Sequence, residues 1–296
     1  MPVLEGIFPP LPTPFTEAGA LALDRLRENV EALNGTGIAG FLALGSNGEA
    51  VHLDDDEAGS VFACVRRQAA PGSVVLAGTG RPSTRDTIAL TRRAAEAGCD
   101  AALVVTPSYY RNAMTNDALR RHYQSVADAS PIPVLLYNVP ANTGLNLPPE
   151  VAADLAAHPN IIGIKDSAGD VSQLADLVSR TRTAGFAVGC GSFGALLPAA
   201  SFGVKGAVLA VANVAPRECS AMLAHALAGR REEAAELHLR LLPVARAVTS
   251  RWSVPGVKAA LDLLGRYGGP PRPPLLPLPA EPRGELRRLL AEAGLL

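Results

Sequence analysis

A lysine at the end of a short apolar run is the residue in this sequence best suited to covalent chemistry. The run NIIGIKDS at positions 160–167 has the length and β-branched content of a buried parallel strand, and Lys165 lies at its end. The chain has 27 Lys and Arg residues, but only positions 165, 205 and 258 are Lys. Arginine stays protonated in proteins, whereas a lysine amine desolvated in an apolar pocket can lose its proton and attack a carbonyl carbon. The sequence therefore predicts an imine-forming lysine, against the alternative of a strand-end lysine that reaches solvent.

Two further apolar runs end in side chains that could work with such a lysine. Tyr137 ends the run 133–137 and lies 28 residues before Lys165, close to one β-then-α repeat, so both should lie at the same height on neighbouring strands. A phenol beside an imine-forming amine can carry the protons of carbinolamine dehydration and carbon–carbon cleavage. The loop GSNG at 45–48 offers the hydroxyl of Ser46, the amide of Asn47 and free backbone N–H groups to a carboxylate. The alternative for Tyr137 is a tyrosine packed in the core, and the alternative for the loop at 45–48 is an ordinary polar turn.

The elements that must position these residues follow the pattern of a (β/α)8 TIM barrel. Eight β-then-α units fit into about 230 residues, as this α/β fold requires. We predict strands at 6–8, 40–44, 73–77, 101–105, 133–137, 161–165, 186–190 and 206–210, and helices at 23–33, 54–68, 84–97, 117–129 and 171–183. Helical sequence continues at 216–228, 231–248, 257–264 and 285–293. The predicted organisation is a barrel domain over 1–229 and a C-terminal helical domain over 230–296.

An open, doubly wound sheet is the competing architecture, because positions 189–194 match GxGxxG. The motif lies in the seventh unit instead of the first, and no acidic residue follows about 20 positions later to bind a ribose. A tight glycine turn at the barrel rim is therefore favoured over dinucleotide binding. The proline-rich stretch 268–282 predicts a stiff surface connection in preference to a ligand for an aromatic groove.

Composition excludes several classes of function. A formal charge of −1 and a pI near 6.5 give no basis for nucleic-acid or acidic-membrane binding. The four cysteines, at 64, 99, 190 and 219, have no metal-type spacing, so we expect free thiols, no disulfide and no metal. Strand-like sequence from Gly6 leaves no room for a signal peptide, and no apolar run reaches the ~18 residues of a membrane span. We therefore expect a cytoplasmic protein.

Taken together, the motifs resemble those of the dihydrodipicolinate synthase and N-acetylneuraminate lyase superfamily. They are GSNGE at 45–49, YNVP at 137–140 and GIKD at 163–166, in matching order and spacing, and the resemblance covers nearly the whole chain. Within the superfamily the chain is most similar to 4-hydroxy-2-oxoglutarate aldolase, through VPANTG at 139–144 and KDS at 165–167. The segments VPG at 254–256 and YGGP at 267–270 are similar as well.

The resemblance implies a role for each matching residue. Lys165 would form a Schiff base with the 2-oxo carbon of a small-molecule 2-oxo acid, and Tyr137 would carry protons. Ser46 and Asn47 would bind the carboxylate next to that carbon, and Ser167 would help with the far carboxylate. No cofactor is implied beyond this covalent imine.

Tyr109 and Asn142 bear on assembly and substrate. Tyr109 matches a tyrosine that reaches into a second subunit to support Tyr137, which implies a homo-oligomer of at least two chains and, by resemblance, a dimer of dimers. Typical dihydrodipicolinate synthases have an arginine where this chain has Asn142, and that arginine is a bidentate partner for the aspartate-semialdehyde carboxylate. Asparagine cannot supply this charge. These synthases also usually carry a threonine pair at positions 46 and 47.

Both departures favour a class I, Schiff-base aldolase that cleaves 4-hydroxy-2-oxoglutarate to pyruvate and glyoxylate. The alternative is 4-hydroxy-tetrahydrodipicolinate synthase, which uses pyruvate and aspartate semialdehyde, or another pyruvate-dependent lyase or dehydratase of the superfamily. N-acetylneuraminate lyase ranks third, since it usually carries Ser-Thr in the strand-two loop. A different class of function is also open. The chain could be a binding or regulatory barrel without catalytic activity, in which Lys165 and Tyr137 are remnants of a former active site.

Overall fold

The computed structural model describes residues 4–182 and 185–296 and confirms the (β/α)8 barrel with C-terminal helices. All eight strands are parallel and form one sheet in the order β1-β8-β7-β6-β5-β4-β3-β2. The strands are β1 (Gly6–Phe8), β2 (Gly40–Ala43), β3 (Val74–Gly78), β4 (Ala101–Val105), β5 (Val134–Asn138), β6 (Ile161–Asp166), β7 (Ala187–Cys190) and β8 (Gly206–Val208). The helices are α1 (Leu23–Leu33), α2 (Asp55–Gln68), α3 (Thr84–Glu96), α4 (Asn116–Ala129), α5 (Pro140–Thr143), α6 (Pro149–Leu155), α7 (Val171–Thr181), α8 (Phe193–Ser201), α9 (Pro216–Leu227), α10 (Arg231–Arg246), α11 (Ser253–Leu263) and α12 (Ala280–Glu292).

The barrel closes between β1 and β2 without a regular ladder. Pro9 and Pro10 follow β1, and proline has no N–H with which to continue the pairing. Closure relies on single hydrogen bonds instead: the Leu42 N–H donates to the Pro9 carbonyl at 3.1 Å, and the Leu11 N–H donates to the Leu42 carbonyl at 2.9 Å. These bonds hold the β2 end, and the loop that follows it, against the rest of the barrel.

The register of β5 and β6 determines the height of the two reactive residues. Val134 pairs with Ile161, whereas Leu135 pairs with Gly163, so the ladder skips Ile162 as a β-bulge. After the bulge, Tyr137 pairs with Lys165 and Asn138 with Asp166. The prediction that Tyr137 and Lys165 lie at the same height on neighbouring strands is therefore confirmed.

Large apolar side chains fill the barrel below this level. Phe8, Leu42, Leu76, Leu103 and Leu135 are buried in one cluster that also contains Tyr137. Such a packed interior is what a (β/α)8 barrel has in place of a pore. It gives Tyr137 a rigid base.

The C-terminal helices begin earlier than predicted. The helix predicted at 257–264 is α11, which begins at Ser253, and the helix predicted at 285–293 is α12, which begins at Ala280. Each has a proline, Pro255 or Pro282, in its first turn, where a backbone N–H has no partner within the helix in any case. The predicted end of α7 at position 183 lies outside the described residues. The division at 229 and 230 stays a prediction, although α9 ends just before it and α10 begins just after it.

Among the described residues, no helix combines the length and the apolar character needed to cross a bilayer.

Candidate active site

Lys165 and Tyr137 are in contact at the carboxyl end of the barrel strands. The Lys165 Nζ lies 3.9 Å from the centroid of the Tyr137 ring. Both residues are buried, with Lys165 4% and Tyr137 5% exposed. The amine is therefore held against the phenol ring, and the reading of Lys165 as a strand-end lysine in solvent is excluded.

Ser46 completes a contact chain with these two residues. It lies in the 3-10 turn Ser46–Gly48 that follows β2, and its Oγ is 3.2 Å from the Tyr137 hydroxyl oxygen. Burial opposes ionisation of the Tyr137 phenol, but the charge of Lys165 and hydrogen bonds at the phenol oxygen outweigh it, so its pKa is below the ordinary value. A phenol with a lowered pKa gives up and takes back a proton more readily near neutral pH, which suits a group that acts as acid and base.

A buried polar network fixes the strand ends that carry the reactive pair. Asp166 is fully buried, and its Oδ2 accepts hydrogen bonds from Asn138 Nδ2 and Gln173 Nε2, each at 2.7 Å. The Asn138 Oδ1 accepts a hydrogen bond from the Leu147 N–H at 2.9 Å. Because Asn138 and Asp166 directly follow Tyr137 and Lys165, the network limits movement of the pair. No sequence motif used above assigns a function to these supporting residues.

A cavity of about 400 Å³ opens above the phenol, within the range of small-molecule sites. Ser46, Tyr137 and Asn142 line it, together with Val51 and Thr106. The Thr106 hydroxyl is buried and has no hydrogen-bond partner among the described residues, which leaves it free for a ligand.

Gly191 allows Lys165 and Ser167 to lie side by side. A Cβ at Gly191 would lie 1.9 Å from the Ser167 Oγ, 2.9 Å from the Ser167 Cβ and 3.0 Å from the Lys165 Cε. Only a residue without a side chain leaves room for both. This glycine is the third residue of the GxGxxG match, so the tight turn at the rim borders the reactive lysine.

Two predicted site residues are not brought to the reactive pair. Asn47 is half-buried and is absent from the lining of the cavity among the described residues. Tyr109 is 80% exposed and packs edge-on against Tyr110, with ring centroids 5.0 Å apart. Within the described chain it makes no hydrogen bond to Tyr137, so a role for Tyr109 at this site requires a second subunit.

Over the residues that the structure describes, no group of three or more His, Cys, Asp or Glu side chains is arranged to hold a metal ion.

Curated relatives extend over almost the full chain. The protein is 40% identical over 290 residues to the 4-hydroxy-tetrahydrodipicolinate synthase of Methanothrix thermoacetophila, a match that covers 98% of this chain and 97% of the relative. It is 37% identical to the enzyme of the same name from Haloarcula marismortui, over 97% of this chain and 92% of the relative. Five further relatives at 36–38% identity carry that name as well.

These relatives overturn the predicted activity. Asn142 in place of an arginine and Ser46-Asn47 in place of a threonine pair predict cleavage of 4-hydroxy-2-oxoglutarate. The relatives' names match the alternative, 4-hydroxy-tetrahydrodipicolinate synthase, so the aldolase prediction is wrong. The prediction failed because it inferred the charge of the second-substrate site from position 142 alone. A cation on a neighbouring element can supply the same charge.

Solved structures agree with this reassignment. The structure is similar to the dihydrodipicolinate synthase of Acinetobacter baumannii in complex with pyruvate, with a TM-score of 0.93, 34% identity and coverage of 99% of this chain and 100% of that chain. It is also similar to the enzyme of Thermotoga maritima, with a TM-score of 0.94, 32% identity and full coverage of both chains. The model of the dihydrodipicolinate synthetase family matches residues 3–293. The chain therefore belongs to the dihydrodipicolinate synthetase family, and it is an enzyme of the carbon–carbon lyase class that works through a Schiff base.

Proposed function

We propose that the protein is a 4-hydroxy-tetrahydrodipicolinate synthase, which joins pyruvate to aspartate semialdehyde. The observation that carries the proposal is the buried contact of the Lys165 amine with Tyr137, whose hydroxyl in turn lies 3.2 Å from Ser46 Oγ. The names of the relatives and the pyruvate bound by the neighbour from Acinetobacter baumannii support this choice of substrates.

The chemistry begins with the Lys165 amine. It attacks C2 of pyruvate, and the carbinolamine loses water to give an iminium ion. This cation is the electron sink, so the reaction needs no metal and no further cofactor. Tyr137, with its hydroxyl deprotonated, takes a proton from C3 to give an enamine, and C3 then attacks the aldehyde carbon of the second substrate. Tyr137 supplies the proton that the new alkoxide takes up. The amino group of the bound semialdehyde then attacks C2, closes the ring and releases the Lys165 amine.

Two groups of the strand-two turn face the first substrate in this proposal. Ser46 lines the cavity and binds the pyruvate carboxylate through its hydroxyl, and Asn47, whose side chain is absent from that lining among the described residues, contributes the backbone N–H of the same turn. Ser167 borders Gly191 together with Lys165 and remains a candidate for the far carboxylate. Asn142 lines the cavity but brings no charge.

Arg111 is the cation that can take the place of the missing arginine. It lies in the 3-10 turn Arg111–Ala113 after β4, and a Cβ at Gly144 would lie 2.5 Å from its Nη1. Gly144 ends the short α5 turn that carries Asn142. Arg111 is exposed and lines a neighbouring surface pocket with Tyr109 and Gly144, outside the lining of the cavity. Among the described residues it makes no ion pair, so in this proposal its guanidinium turns towards the cavity to bind the aspartate-semialdehyde carboxylate.

Assembly and compartment follow from the same proposal. Tyr109 is exposed beside the cavity mouth, and we propose that it supports Tyr137 of a second copy in a homo-oligomer, with a dimer of dimers as the expected form. The four cysteines are buried and unpaired, which fits a reducing compartment such as the cytoplasm.

Borohydride reduction in the presence of pyruvate tests the covalent step. We expect intact-mass analysis to find one pyruvate adduct per chain, peptide mapping to place it on Lys165, and Lys165→Ala to carry none. If the native enzyme gains no adduct, the Schiff-base mechanism is wrong.

A panel of aldehydes tests the second substrate. We expect aspartate semialdehyde to be consumed with pyruvate far faster than glyoxylate, and Arg111→Met to raise its KM about tenfold or more while leaving the KM for pyruvate unchanged. Arg85→Met is the matched control, because Arg85 is an exposed arginine on α3 whose one ion pair within the described residues is with its neighbour Asp86. An adduct on Lys165 without turnover of aspartate semialdehyde would contradict the synthase assignment alone.

A further inference from the structure

A fully buried ion pair joins the strand-two loop to the C-terminal helices. The Lys258 Nζ on α11 lies 2.7 Å from the Glu49 Oε1, and the two side chains are 1% and 0% exposed. The atoms are in charge contact without aligned hydrogen-bond geometry. The proposed mechanism uses neither residue, yet both belong to the small set of charges that the fold takes completely out of water.

Other C-terminal groups complete the surroundings of this pair. The Glu49 Oε2 accepts a hydrogen bond from the Arg272 N–H at 2.8 Å, and Lys258 Nζ donates to the Pro270 carbonyl at 2.8 Å. The Lys258 amine also lies 4.5 Å from the centre of the Phe15 ring. Burial lowers the pKa of Lys258, and the Glu49 carboxylate opposes that shift. The Glu49 Oε2 also lies 3.2 Å from the His52 Nδ1, so the carboxylate is held by one residue of its own loop and by Lys258 and Arg272 from the last 40 positions of the chain.

Glu49 is directly coupled to the turn that carries Ser46. It follows the turn Ser46–Gly48, and its N–H donates to the Ser46 carbonyl at 3.1 Å. Its backbone has φ +56°, a left-handed conformation that a residue other than glycine adopts only when its surroundings enforce it. If Glu49 loses its partner, a buried charge is left uncompensated, and the loop must move to expose or neutralise it. Ser46 would move with it.

We propose that Glu49 and Lys258 are positioning residues for 2-oxo acid binding, through which helix α11 holds the Ser46–Asn47 turn in its carboxylate-binding conformation. This assigns a function in substrate binding to the C-terminal helices, which otherwise lie outside the barrel. The inference rests on the part of the proposed function that gives Ser46 and Asn47 the carboxylate of pyruvate. It does not depend on the identity of the aldehyde.

The test is the pyruvate concentration that half-saturates borohydride trapping on Lys165, measured by intact mass well below the unfolding temperature of each variant. We expect Glu49→Gln and Lys258→Met each to raise it at least tenfold. The trapping rate at saturating pyruvate should stay within threefold of the wild type, because Lys165 and Tyr137 are unchanged. Asp100→Asn is the matched control: it breaks the Arg66–Asp100 pair of 3.0 Å, which lies at the opposite end of the barrel, and should shift half-saturation less than twofold.

The double variant Glu49→Gln/Lys258→Met removes both charges and keeps the fold testable if a single variant fails to fold. We expect this double variant to be folded, as judged by circular dichroism, and to need a higher pyruvate concentration than the wild type to half-saturate trapping. A wild-type value in this variant, or an equal shift in Asp100→Asn, would overturn the inference. Absence of trapping in the wild-type enzyme would instead refute the proposed function.

Discussion

The space at Gly191 permits a quantitative prediction about Lys165. In Gly191→Ala the new Cβ would meet the Ser167 Oγ at 1.9 Å, which rotation of the hydroxyl relieves. Rotation does not relieve the contacts with the Ser167 Cβ at 2.9 Å and, last, with the Lys165 Cε at 3.0 Å. The latter distance is about 0.4 Å short of the 3.4 Å at which ordinary contact begins. The Gly191 N–H donates to the Asp166 carbonyl at 2.7 Å, so the backbone cannot easily retreat and the lysine must move.

A misplacement of 1 Å can cost about 100-fold in rate, so a shift of about 0.4 Å should slow imine formation on Lys165 about sixfold. The assay is the rate of borohydride trapping at saturating pyruvate, followed by intact mass. Gly194→Ala is the control, three residues further on, because its Cβ would meet nothing within 4 Å. It should trap pyruvate at the wild-type rate and gain about 0.5–1 kcal/mol of stability, since it lies in α8. Wild-type trapping by Gly191→Ala would refute the crowding argument.

Two further predictions concern a phenol and an imidazole. Tyr137→Phe should lower kcat by about 10²–10⁴-fold. Tyr123→Phe loses a buried hydrogen bond to the Val104 carbonyl, next to the Tyr137 backbone, and should cost about 1 kcal/mol of unfolding free energy while lowering kcat far less. Steady-state kinetics and denaturant titration measure the two effects, and equal kcat losses would contradict the assignment. Burial lowers the pKa of His122 to about 4, so the folded protein keeps the imidazole neutral at pH values where the unfolded chain protonates it. The free energy of unfolding is therefore highest above pH 6.5 and decreases as pH falls towards 4. Between pH 7 and pH 4 the free energy of unfolding, measured by urea titration, should fall by about 3 kcal/mol more in the wild type than in His122→Gln. Equal decreases in the two proteins would show that His122 is protonated in the folded protein.

Local patterns predict the parts of the site that neighbouring strands determine. Apolar runs place all eight strands within a few residues, and the spacing from Tyr137 to Lys165 gives their common height. The bulge at Ile162 is invisible in the sequence, yet it sets the register in which the two residues pair. Helix α8 was also missed, because it is apolar on most of its surface and has no amphipathic period to detect.

Contacts between distant segments were beyond the reach of the sequence. Glu49 and Lys258 are 209 positions apart, and nothing in their local context predicts a pair. The charge of the second-substrate site was judged at Asn142 alone, although Arg111 approaches the same turn from the preceding strand's loop. Substrate choice depends on where charges meet in space, so a substitution at one position does not settle it.

The pairing of β1 with β8 has a consequence for synthesis of the chain. Gly6 pairs with Gly206, so the first strand to leave the ribosome has its ladder partner 200 residues later. Until β8 emerges, the growing sheet has an unpaired edge at each end, and such edges invite aggregation. The nascent protein therefore spends most of translation as an open sheet, and a ribosome-stalled chain that stops before position 206 should depend on chaperones to stay in solution.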